Sequence, residues 1–201
     1  VERRLLSEID CIYRWRDDGR WRIESEDDVF AGAEPEDADV VARIVEQLRA
    51  LEGIDDATEL LVPVAAGRHV DHEIVRVAAE AWRPAQVRYY EDFPYVVHPG
   101  QLGAALGRPQ GWVAEVEVTD PASFQRRLEA GLAYRSQVPF LFGDAKGLEA
   151  SLRAYARECG LDRGVLAERR WIPDDPSAIR LELGASRGVG VSGHGLGERS
   201  A

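Results

Sequence analysis

The chain has 201 residues and a mass of 22.3 kDa; 45% of its residues are hydrophobic and 30% charged. That is enough to bury a core, and it excludes a collagen, a disulfide-stapled mini-protein and a disordered chain. A net charge of −11 and a pI near 4.9 argue against an electrostatic grip on nucleic acid or an anionic membrane.

Residues 1–35 carry no periodic pattern and include an acidic, turn-rich stretch around Asp17-Asp18-Gly19. From Ala38 to Leu51, apolar residues at Val41, Ile44, Val45, Leu48 and Leu51 predict an amphipathic helix, with Glu36, Asp37 and Asp39 at its positive end and Gly53 as its stop. The apolar run Leu60–Ala65 reads as a strand covered on both faces, and the loop 66–72 follows it. Ile74, Val75, Ala78, Ala79 and Trp82 then mark a helix over Glu73–Trp82. Val87–Tyr90 and Trp112–Val118 are predicted strands, and Pro121–Tyr134 and Leu148–Glu158 are predicted helices. Such alternation predicts an α/β layered sheet. From Asp174 onward the composition changes, and six glycines between Gly184 and Gly197 predict a flexible tail or an appended segment.

Of the 25 basic residues all but Lys146 are arginine, the pattern of a GC-rich bacterial genome, and the chain contains no methionine. No apolar run is long enough to cross a bilayer and no signal segment opens the chain, so a cytoplasmic location is expected. Cys11 and Cys159 cannot build a metal cluster between them and read as small, partly buried residues.

The strongest chemical signal is His69-Val70-Asp71-His72, which holds two of the four histidines at a strand-to-helix junction. Open α/β sheets place ligands at this end of a strand. Two imidazoles three positions apart can aim at one point, and a carboxylate between them can fix a ring tautomer. The same spacing also describes two surface histidines beside a helix-start Asp. Tyr90-Glu91-Asp92-Phe93-Pro94-Tyr95 opens on the same edge and reads either as a polar pocket wall or as an exposed strand end. His98, beside Pro99, reads as a loop histidine. Gly188-Val189-Gly190-Val191-Ser192-Gly193 matches the dinucleotide pattern literally, but only eight residues follow it and no helix can receive a pyrophosphate.

Several motifs occur in a shared order: Asp10-Cys11-Ile12-Tyr13-Arg14, Gly67–His72, Tyr90–Tyr95, Ala133-Tyr134-Arg135-Ser136-Gln137, Leu141-Phe142-Gly143 and Ala167–Trp171. In this order the chain, over about positions 1–173, resembles the PIG-L/LmbE-like zinc-dependent de-N-acetylases. The resemblance implies a Rossmann-like sheet with helices on both faces and hydrolysis of N-acetyl groups from N-acetylglucosamine-type sugars. It implies that His72 is a ligand to Zn2+. His69 would assist the tetrahedral intermediate or protonate the leaving amine, and Asp71 would orient it. Glu91, Asp92 and Tyr95 would face the sugar.

Family members open with a strand and an Ala-His-Pro-Asp-Asp-Glu-type loop that supplies a His and an Asp to zinc and a second Asp as general base. No such motif occurs in these 201 residues, and the sequence is expected to begin downstream of it. One family-type ligand stands where three are needed, so weak zinc binding and no deacetylase activity are expected of the chain by itself. A non-catalytic sugar-binding module and an inactive remnant are the rival readings. Missing N-terminal strands would leave Leu60–Val64 with an open edge, so the chain is expected either to associate through it as a homo-oligomer or to expose an unusually large apolar surface there. No nucleic-acid or membrane partner is expected.

Overall fold

The structure, a computed structural model, describes residues 4–55, 57–82, 86–107, 111–176 and 183–184. Its N-terminal part is a 3-10 turn, Cys11–Tyr13, capped by the Asp10 carboxylate on Ile12 N–H. A tight hairpin follows, in which Trp15 and Trp21 pair and Gly19 takes the positive φ (82°) of the turn. Helix α1, Glu26–Val29, is held by a Ser25/Asp28 capping box. Helix α2, Ala38–Arg49, buries Val40, Val41, Ile44 and Val45, with Asp39 in its first turn and Arg49 in its last, as the helix dipole favours.

The central elements are β1 (Leu60–Pro63), α3 (Val70–Trp82), β2 (Val87–Tyr90), α4 (Gln101–Leu106) and β3 (Trp112–Val118). They are followed by α5 (Pro121–Leu132), α6 (Gln137–Phe142), α7 (Ala145–Cys159) and β4 (Ala167–Pro173). Asp120 caps α5 through Ala122 and Ser123 N–H with Pro121 in the first turn, and Asp144 caps α7 through Gly147 N–H.

The four strands form one sheet in the order β1-β2-β4-β3. The fold is α/β, as expected, and the sheet is mixed: β1 and β2 are parallel, and β4 runs antiparallel to both of its neighbours. Register places Leu60, Val62, Val87, Tyr89, Ala167, Trp171 and Trp112 on one face, and these residues join the main core with Phe124, Leu128, Leu148, Leu152 and Tyr155. The opposite face carries Leu61, Arg88, Tyr90, Val113 and Glu115 and, among the described residues, is largely open. Helical cover is therefore concentrated on one side. A second core joins α2 and α3 through Val41, Ile44, Val45, Val70, Ile74 and Ala78, with Cys11 and Ala33 from the N-terminal segment.

Most of the glycine-rich segment, including Gly188–Gly193, lies outside the described residues. Leu183 packs against the second core, and Gly184 N–H donates to Ala33 O at 2.9 Å. No helix among the described residues is long and apolar enough to cross a membrane.

Candidate active site

Strand β1 delivers the chain to a turn whose backbone is unusual. Ala65, Gly67 and Arg68 have φ of 61°, 77° and 61°, and each of the two non-glycine residues costs roughly 1–2 kcal/mol in that region. The surroundings hold it there. Ala66 N–H donates to Asp92 Oδ2 (3.0 Å), Gly67 N–H to Gln101 Oε1 (3.2 Å) and Arg68 Nε to Glu73 Oε1 (3.3 Å). Gly67 is required twice over, because a Cβ there would lie 2.9 Å from Tyr95 Cβ.

The turn places His69 just before α3 and His72 within its first turn. Three positions on a helix return the side chain to nearly the same face, and the two rings lie stacked with centroids 4.7 Å apart at 29°. Tyr95 sits at 6.3 Å from His69 and 5.8 Å from His72, and Phe30 packs edge-on to both His69 (5.8 Å) and Tyr95 (5.4 Å). The histidines thus stand at the carboxyl end of β1, in an aromatic box.

Each imidazole has a distinct partner. His69 Nδ1 accepts Asp71 N–H at 3.2 Å, so a neutral ring carries its proton on Nε2. Burial, then the neighbouring His72, lowers the His69 pKa below the ordinary imidazole value, against the pull of Asp71, Asp10 and Asp92. His72 Nδ1 lies 2.8 Å from Asp92 Oδ1. That separation suits an ion pair but is off the line of a hydrogen bond, and both atoms are buried without another partner.

The family-implied residues are only partly brought together. The Asp71 carboxylate does not touch the His69 ring; its backbone N–H does. The carboxylate instead accepts Cys11 N–H (Oδ2, 3.0 Å) and the Arg14 guanidinium (Oδ1), tying the N-terminal turn to α3. Asp92, 2% exposed, faces His72 and the Ala66 N–H. Glu91 is buried under the Tyr155 hydroxyl (3.0 Å), Trp171 Nε1 (2.8 Å) and Arg169. These two carboxylates brace the site from inside the protein. Tyr95 alone of the three flanks the rings, its phenol pKa raised by burial and then by Asp92. His98 lines a cavity of about 210 Å³ with Glu91, Tyr155, Glu158 and Arg169, and the histidine pair takes no part in it.

Cys11, Arg14 and Phe30 complete the surroundings. Arg14 and Arg22 converge on the buried Asp37, Arg22 Nη2 at 3.0 Å and Arg14 Nη1 at 3.8 Å, and Arg22 also donates to Gly32 O at 3.0 Å. No local spacing announces these contacts, because Cys11 and Arg14 lie 60 and 57 residues before Asp71.

His72 suits zinc in kind: a carboxylate behind one imidazole nitrogen leaves the other for a metal. It does not suit zinc in number. Among the described residues the one set of three converging donors is Cys11, His69 and Asp71, whose ligand atoms lie within 4.8 Å of one another, and His72 is not in it. A catalytic zinc centred on His72 is not completed by these residues.

No family model matches the chain, and no curated protein does. Solved structures do. The zinc-inhibited form of teicoplanin deacetylase Orf2 is similar at 29% identity and a TM-score of 0.64, over 83% of this chain and 66% of that one. A complex of a deacetylase from the teicoplanin biosynthesis pathway with bog gives the same identity and TM-score over 83% and 65%. The A40926 pseudoaglycone deacetylase Dbv21 aligns at 29% identity and a TM-score of 0.56, over 68% and 57%. The chain therefore spans just under two thirds of the first two enzymes.

Proposed function

We propose that this chain carries the proton-handling and substrate-facing part of a PIG-L/LmbE-type deacetylase that removes an N-acetyl group from an N-acetylglucosamine-type sugar or sugar conjugate. The observation that carries the reading is the stacked His69–His72 pair at the carboxyl end of β1, in a chain that superposes on glycopeptide deacetylases. Positions 1–173 form the deacetylase-like domain in this reading and 174–201 an appended segment. Free Cys11 and Cys159 thiols fit a reducing cytoplasm.

Neutral His69 presents Nε2–H as a hydrogen-bond donor. Aimed at the amide carbonyl oxygen, it would stabilise the oxyanion that grows as water attacks. The Asp71 backbone N–H fixes that tautomer by occupying Nδ1. Tyr95 and Phe30 give the sugar ring and the acetyl methyl apolar walls and exclude water. His72 would be one ligand of a zinc, and a zinc completed by further donors would supply polarisation of the carbonyl and activation of the water. Among the described residues, no further pair of donors converges with His72.

That donor count favours a second reading, a sugar-binding module without turnover. Acetate release from N-acetylglucosaminyl conjugates in the presence of Zn2+, lost in His69→Ala, supports the first reading. Calorimetric binding of the same conjugates without acetate release supports the second. Neither binding nor release overturns both.

A further inference from the structure

We propose that Cys11, His69 and Asp71 form a metal site of their own, a thiolate–imidazole–carboxylate set for one borderline-soft divalent cation such as Zn2+ or Co2+. The site is distinct from any centre on His72. It rests on the convergence of three side chains and does not depend on the hydrolase reading.

The donors come from two separate segments and are of three chemical kinds, within 4.8 Å of one another. A tetrahedral zinc holds S, N and O ligand atoms roughly 3.3–3.6 Å apart, as its bond lengths dictate. Binding therefore needs the three side chains to close on one another, and the part-buried Asp71, its side chain 30% exposed, has room to turn. Cys11 is fully buried, and its thiol faces Asp10 Oδ1 at 3.6 Å. On binding, the S–H bond breaks, its proton leaves to solvent past Asp10, and the sulfur electron pair goes to the metal. His69 gives its one neutral lone pair, now spent on a 3.2 Å contact from Asp71 N–H.

Charge supports a cation. Asp37 and Asp71 pair with Arg14 and Arg22, Asp10 faces the thiol, and the thiolate adds one further negative charge. When Asp71 turns an oxygen to the ion, Arg14 keeps Asp37 at 3.8 Å. A thiolate in the set selects against Mg2+ and Ca2+, which take oxygen ligands. Occupation would clamp the Cys11–Tyr13 turn to the start of α3, where Cys11 N–H already bonds the Asp71 carboxylate.

The test is titration of the whole chain with Co2+ alone. The expected result is a thiolate-to-cobalt charge-transfer band that saturates at one equivalent, is displaced by Zn2+ and is untouched by Mg2+ or Ca2+. Cys159→Ala and His72→Ala should keep the band. Cys11→Ser should abolish it and weaken Zn2+ binding by more than about 100-fold, beyond what loss of an outer-shell partner costs. No band in the wild type, a band retained in Cys11→Ser, or one lost in Cys159→Ala or His72→Ala overturns the proposal. If Cys11→Ser fails to fold by circular dichroism, the Cys159→Ala chain decides, since Cys11 is then its only thiol. Loss of deacetylase activity leaves this readout unchanged, so the two readings fail separately.

Discussion

Asp92 offers the most direct measure of how the site is held. Its carboxylate is 2% exposed, accepts Ala66 N–H at 3.0 Å and lies 2.8 Å from His72 Nδ1. Asp92→Ala removes both contacts: it leaves the buried Ala66 N–H without a partner and takes the facing carboxylate away from His72 Nδ1. An orphaned buried donor costs ~1–3 kcal/mol and a lost contact to a charged group ~1.5–3 kcal/mol, so a loss of about 3 kcal/mol is expected. For a chain of this size that corresponds to a fall in Tm of roughly 6–12 °C. Asp92→Asn keeps an oxygen for Ala66 N–H and should cost about 1 kcal/mol. Urea denaturation of the three proteins, with an unchanged m-value as the check on two-state behaviour, measures both numbers. If Asp92→Ala comes within ~0.5 kcal/mol of the wild type, the scatter of ordinary surface substitutions, Asp92 does not hold the turn or the ring.

Two further outcomes are expected. Because His69 titrates below its unfolded value, the unfolded chain takes the proton first as the pH falls through about 6.5; stability present above that pH is lost as the pH falls through the folded value. Proton NMR should place the His69 midpoint below about 6.5, and His72→Ala should move it upward; a midpoint at or above that value refutes the assignment of burial and His72 as its causes. Strand β1 ends the sheet, and Leu61 there is 52% exposed, so light scattering should show concentration-dependent association that Leu61→Lys suppresses. A monodisperse monomer at every concentration contradicts that expectation.

What could be read from sequence follows a physical line. Helices α2 and α3 and strands β1, β2 and β3 announce themselves because their apolar spacing is local; α3 begins three residues before its expected start, absorbing the loop from Val70 to His72. Strand β4 carries no such pattern. Glu168, Arg169 and Arg170 interrupt it, and their partners Arg127, Glu91 and Glu117 are 41 to 78 residues away. Helices α4 and α6 are single short segments containing Gly103 and Pro139, residues that normally argue against a helix. At the site, the histidine pair is visible as a spacing. The role of Asp71 is not, since the same residue type can face the ring by its carboxylate or by its amide, and only the long-range docking of Cys11 and Arg14 decides which.

The stacked Trp15 and Trp21 rings, 3.6 Å between centroids at 28°, make the N-terminal hairpin its own optical reporter. Along this hairpin, residues alternate: Arg14 and Arg22 turn inward to Asp71 and Asp37, and the two indoles turn outward to solvent. Two transition dipoles this close couple as an exciton and produce a split circular-dichroism band. The remaining tryptophans, Trp82, Trp112 and Trp171, stand apart from the pair in separate elements. A loss of the split band therefore registers the hairpin coming apart, separately from any change in the sheet. It gives a way to follow the docking of the Arg14 segment in real time, without a label and without turnover.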